Sequence, residues 1–128
     1  MHNFRKLNIW IDAMALAKEV YLITSKFPKD EKFGLVSQIN RCSVSVPSNI
    51  AEGSSRSSKK EFSHFIKIAL GSLFELETQL ILSNEVGFYD IEKLNALEPK
   101  IVKLQKMLCR FLISIEEKNN VERTKNNE

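Results

Sequence analysis

Residues 43–60 read SVSVPSNIAEGSSRSSKK, and how this stretch folds decides how the rest of the chain folds. It holds seven serines, a proline, a glycine and three basic residues. That composition suits either a phosphate-cradling loop or a helix with one small, polar face. The apolar residues around it separate the two. Between residues 31 and 56, Leu35, Ile39, Cys42, Val46, Ile50 and Gly53 recur at gaps of three and four, the spacing of one helical face. The phase survives Pro47, so a helix is expected to continue past it with a kink at Val46–Pro47. An internal proline removes one backbone bond and costs about 3 kcal/mol relative to alanine. Arg41, Ser45, Asn49, Glu52 and Arg56 fall in a polar stripe beside the apolar one. Asn49 and Glu52 are expected in an internal polar network, because a buried polar group must find a partner. Arg41 is expected to pair with Glu75 or Glu77. Only residues 54–60, SSRSSKK, remain as a turn and cap.

The same spacing organises the flanks. Trp10, Ala13, Met14, Ala17, Val20, Tyr21 and Thr24 mark a first helix over residues 5–25. It ends at Phe27-Pro28, since a proline pushes the preceding residue out of the α region, and Asp30 offers the next cap. Ser58 followed by Glu61 reads as a capping box, which starts a third helix that runs to Glu85 and stops at Val86-Gly87. This helix is apolar on two sides. Phe62, Phe65, Ile66, Ala69, Leu73, Leu76 and Leu80 make one, while Leu70, Phe74 and Ile81 make another, with Ile68 and Leu82 adding more. One stripe serves an ordinary amphipathic helix; the surplus predicts self-association. A fourth helix follows Asp90. Leu94, Leu97, Ile101, Leu104, Leu108, Phe111 and Ile115 form its heptad seam, with Pro99 expected to set off residues 91–98 as a kinked or separate first turn. The expected fold is therefore all-α: an antiparallel up-down-up-down four-helix bundle over residues 1–116, with a kinked second helix and assembly into a ring. Residues 117–128, EKNNVERTKNNE, carry one aliphatic residue and read as a frayed or disordered polar tail.

Composition narrows function mostly by exclusion. Of 128 residues, 43% are hydrophobic and 27% charged, with a formal net charge of +3, so the chain is globular and mildly basic. Cys42 and Cys109 lie in apolar helical patterns and read as reduced core residues. No run approaches the ~18 apolar residues of a membrane span and no secretory leader pattern opens the chain, so a cytoplasmic location without membrane contact is expected. The serine stretch lacks the second glycine and the preceding strand of a P-loop. No G-x-S-x-G elbow is present, and His64 sits among lysines as a solvated residue. Glu75 and Glu77 point about 160° apart on a helix, and no E-x-x-H follows them. Neither an enzyme, a cofactor nor a metal site is expected.

Residues 33–80, FGLVSQINRCSVSVPSNIAEGSSRSSKKEFSHFIKIALGSLFELETQL, resemble a four-helix-bundle family first met in intervening sequences of bacterial 23S ribosomal RNA genes. The resemblance rests on Arg41, Ser45, Pro47, Asn49, Ile50, Ala51, Glu52 and Gly53, then on Glu61, Phe62, Ile68, Ala69, Gly71, Ser72, Glu75 and Glu77. It implies an antiparallel bundle that assembles into a ring, commonly a homopentamer. It also implies kinship with basic barrels of diversity-generating retroelements that bind a reverse transcriptase and nucleic acid.

Two functional expectations follow. The first is non-specific binding of nucleic acid, RNA before DNA. Its candidate residues are Arg56, Lys59, Lys60 and Lys67 at the junction of helices two and three, and Lys103, Lys106 and Arg110 on the solvent side of helix four. No aromatic stacking platform accompanies them, which argues against sequence readout. The second is an adaptor that docks a protein such as a reverse transcriptase, for which the apolar surplus on helix three speaks generally.

Overall fold

A computed structural model describes residues 2–127 as four long helices joined by short connections. A 3-10 turn, Phe4–Lys6, leads into α1 (Asn8–Thr24). A second such turn, Lys29–Glu31, precedes α2 (Leu35–Ser54), which is followed by α3 (Lys59–Glu85) and α4 (Ile91–Asn127). Successive helices pack on one another and α1 also packs on α4, closing the bundle. No strand occurs among the described residues.

The apolar spacings become the core. Val20, Ile39, Val46, Ile50, Ile66, Leu73, Leu76, Leu80, Leu97, Ile101, Leu104 and Leu108 are all buried. Burying a side chain of this size is worth roughly 1.5–3 kcal/mol. α2 runs through Pro47, which is itself buried. α4 likewise runs unbroken through Pro99, so residues 91–98 form no separate turn. The helix ends follow local rules. Ser58 Oγ accepts from the Glu61 N–H at 3.1 Å and caps α3. At the other end Gly87 takes φ of 87°. Its N–H bonds to Asn84 O at 3.0 Å and the Phe88 N–H to Ser83 O at 2.9 Å, the paired bonds of a Schellman stop. Tyr89 then donates its hydroxyl to Leu80 O at 2.8 Å. Burial pushes that phenol up to about 12, with Glu98 adding to the shift.

Three local expectations are corrected. Asp30 caps nothing in α2: it sits in the 3-10 turn, and the Leu35 N–H that opens α2 points at Glu31 Oε2, 3.4 Å away. The wide turn through Phe33-Gly34 delays the helix, so its sequence start at residue 31 was early. The polar segment after residue 116 is helical to Asn127, although nothing in it is buried. Its Glu, Lys and Arg are good helix formers, and ion pairs from Glu116 and Glu122 tie it to α3. Cys109 is exposed while Cys42 is buried. Position 109 follows the buried Leu108 and so turns about 100° away from the seam. Burial first, then the nearby Glu75 carboxylate, push the Cys42 thiol up to about 11. A thiol reagent at pH 8 should therefore label one cysteine quickly and the second only on unfolding. Cys109→Ser should abolish the fast phase; two fast thiols would contradict this packing.

α2 and α3 approach closely at Gly53. A Cβ added at Gly53 would lie 2.8 Å from Phe65 Cβ and 2.9 Å from Phe62 Cδ1. Glycine is required there by the close approach of the two helices rather than by backbone conformation.

Candidate nucleic-acid interface

The bundle's antiparallel order sets the candidate cations in two places. The start of α3 lies against the end of α4, so Lys59 and Lys67 meet carboxylates from the fourth helix. Lys59 pairs with Glu122, and Lys67 with Glu116 at 3.2 Å. Lys60 sits between them with no carboxylate in ion-pair range among the described residues. These lysines, with Ser63, His64 and Arg123, line a cleft of about 340 Å³. Beside it, Arg56 pairs with Glu52 at 2.8 Å and lays its guanidinium 4.8 Å from the centre of the Phe65 ring. The junction cluster predicted from sequence is therefore brought together, but three of its four cations are already engaged by acids.

The second place is the outer side of α4. Lys103, Lys106 and Arg110 line a shallow depression of about 610 Å³ with Asn95, Glu98 and Val102. Their gaps of three and four put them on one stripe. Lys103 reaches Asp12 at 3.7 Å, whereas Lys106 and Arg110 have no such partner among the described residues. Lys100, further along α4, pairs with Glu19 at 2.5 Å. Exposed pairs of this kind are worth only about 0–1 kcal/mol, so they restrain the lysines without removing them from competition for a stronger anion.

The polar stripe of α2 behaves differently from its sequence expectation. Ser45 and Asn49 do enter a network: Asn49 Nδ2 donates to Ser45 O at 2.8 Å and to Ser45 Oγ at 2.9 Å, and Ser45 Oγ lies 2.8 Å from Ser72 Oγ. Glu52 does not join it; it is exposed and holds Arg56. Arg41 pairs with neither Glu75 nor Glu77. Arg41 and Glu75 share a polar hollow beside Ser45 and Ser72 without an ion pair between them. Glu77 instead accepts from Gln105 Nε2 of α4 at 3.0 Å. Arg41 and Glu75 are both exposed, so each can be solvated without the other.

Sequence reasoning missed four residues around the cleft. Ser63 is 6% exposed, and its Oγ has no hydrogen-bond partner. Glu122 and Arg123 come from the segment that composition marks as tail, and Glu116 from the residue just before it. The available signal was topological: in an up-down bundle the last turns of α4 must lie beside the first turns of α3. No helix is long and apolar enough to cross a membrane among the described residues.

A family model described as 23S rRNA-intervening sequence protein matches residues 5–110 of the chain. Among solved structures, the chain is similar to a protein of unknown function from the S23 ribosomal protein family of Bacteroides thetaiotaomicron. The TM-score is 0.75 at 21% identity, over 81% of this chain and 94% of that one. This likeness speaks to the fold. No curated protein matches the chain.

Proposed function

The chain belongs to the 23S rRNA-intervening sequence protein family, and from that premise we propose that it is a non-enzymatic oligomer that binds nucleic acid non-specifically through its basic surfaces. The observation that carries the reading is the pair of basic sites in which Lys60, Lys106 and Arg110 have no ion-pair partner among the described residues. RNA ahead of DNA is the ligand proposed. Self-assembly belongs to the proposal. Ile68, Phe74 and Leu82 remain exposed on α3, and a closed ring would cover them. Five copies, the number the family resemblance implies, would raise a net charge of +3 to about +15.

The test is fluorescence anisotropy with a mixed-sequence RNA and a duplex DNA across a salt series. Affinity should fall linearly with salt on logarithmic axes, with no strong sequence preference. Changing Lys60, Lys106 and Arg110 together to glutamine should flatten the slope by about one unit per lost phosphate contact. Absence of binding to either nucleic acid at low salt would overturn the reading. That outcome would favour an adaptor role, docking a protein such as a reverse transcriptase. One feature favours the adaptor independently: an apolar groove of about 680 Å³ between α1 and α2, lined by Trp10, Met14, Tyr21, Leu22, Val44 and Pro47.

A further inference from the structure

We propose that the cleft between the first turns of α3 and the last turns of α4 is a phosphate-binding subsite, held closed to weak anions by the chain's own carboxylates. It rests on the nucleic-acid reading for its biological ligand. Three observations meet there. Lys59, Lys60, Lys67 and Arg123 line one concavity. Ser63 lies on its wall, 6% exposed, with a hydroxyl that has no hydrogen-bond partner among the described residues. A buried hydroxyl without a partner costs stability unless something arrives to bond it. Finally, Glu116 and Glu122 extend from α4 to Lys67 and Lys59. A carboxylate placed on a lysine in such a cleft occupies the place a phosphate oxygen would take, with the same charge sign and the same acceptor chemistry.

The two ion pairs are solvent-exposed, so an incoming phosphate displaces them at small cost and gains Lys60 and the Ser63 hydroxyl, which the carboxylates do not use. Arg56 lies in the adjoining hollow that shares Lys60 and His64 with the cleft, so a second phosphate of the same strand has a cation at hand. The pattern also explains why the terminal turns of α4 stay helical although nothing in them is buried: they place two acids over two lysines.

The test uses the full chain, isotope-labelled, titrated with inorganic pyrophosphate at low salt and then with a short single-stranded RNA. Saturable amide shifts confined to residues 59–67 and 116–123 are expected. Glu116→Gln with Glu122→Gln should tighten pyrophosphate and RNA binding about fivefold, from two exposed pairs at about 0.5 kcal/mol each. Glu85→Gln with Glu92→Gln makes the same charge change at the far end of the bundle and should give less than about twofold. Ser63→Ala should leave thermal stability unchanged or raised, since it removes an unsatisfied hydroxyl, and weaken pyrophosphate about threefold. Equal gains from the two glutamate pairs, or unchanged affinity in Ser63→Ala, would overturn the subsite. RNA binding without pyrophosphate shifts at residues 59–67 would also overturn it while leaving the nucleic-acid reading intact. Pyrophosphate in the cleft with no binding of RNA or DNA would sustain the subsite, make a free phosphate compound its ligand, and remove the nucleic-acid reading.

Discussion

Replacing Gly53 by valine should destabilise the chain by about 3 kcal/mol and lower its melting temperature by about 10 °C. The added Cβ meets Phe65 Cβ at 2.8 Å and a Phe62 ring carbon at 2.9 Å. Phe65 Cβ is fixed by the α3 backbone, so rotamer changes do not relieve it and the helices must separate. Separation would stretch the neighbouring Ser45–Ser72 contact of 2.8 Å, which depends on the same close approach. Gly53→Ala should be milder, because the clash of one methyl is partly offset by the roughly 1 kcal/mol that alanine gains over glycine in a helix. Gly71, with no atom near its position, provides the contrast. Gly71→Ala should stabilise the free chain by roughly 0.5–1 kcal/mol. Urea or thermal unfolding followed by circular dichroism, at dilution, reads all three. A Gly53→Val protein as stable as the parent would mean that the α2–α3 seam is looser than described.

What could be read in advance follows from what spacing encodes. The positions Leu94, Leu97, Ile101, Leu104 and Leu108 state which side of a helix is apolar, and burial of that side follows wherever the helix packs. Caps were legible for the same reason: Ser58 with Glu61, and Gly87 after Glu85, act within one turn of their own backbone. Spacing does not encode the distance across to another helix. The polar pattern predicts that Arg41 pairs with Glu75 or Glu77, whereas Arg41 and Glu75 share a hollow without an ion pair. Cys109 was placed in the core because its neighbours are apolar, although it is one step off the seam. The terminal segment misled for a third reason. Low hydrophobicity foretells absence of burial, which holds, but it says nothing of helix propensity or of lysines waiting on α3 to meet Glu116 and Glu122. The candidate cations were legible as a set; the carboxylates that hold most of them were not.

If the proposed ring forms and binds RNA, changing Phe74 and Leu82 together to glutamine should convert it to monomer and cut the apparent affinity for RNA at physiological salt by tenfold or more, about 1.4 kcal/mol per decade. Both side chains lie on the outer side of α3, 52% and 47% exposed, so their loss leaves the core of the single chain intact. Far-ultraviolet dichroism and melting at low concentration should be unchanged. By helical spacing Ile68 and Gly71 belong to the same face, which also carries the exposed Lys67, Glu75 and Thr78. Glutamine preserves the charge of each chain, so weaker binding in this variant cannot come from altered local electrostatics. Under the proposed assembly it comes from losing the neighbouring copies, whose cations would act on one strand together and release counterions together. Light scattering measures the first effect and anisotropy the second, and their combination separates three cases. A monomeric variant that binds RNA as tightly as the parent would show that one chain's cations suffice. A variant still assembled would move the interface to the α1–α2 groove around Trp10 and Tyr21. A parent protein that is itself monomeric would remove the ring, and with it the multiplication of a +3 chain into a strongly basic surface.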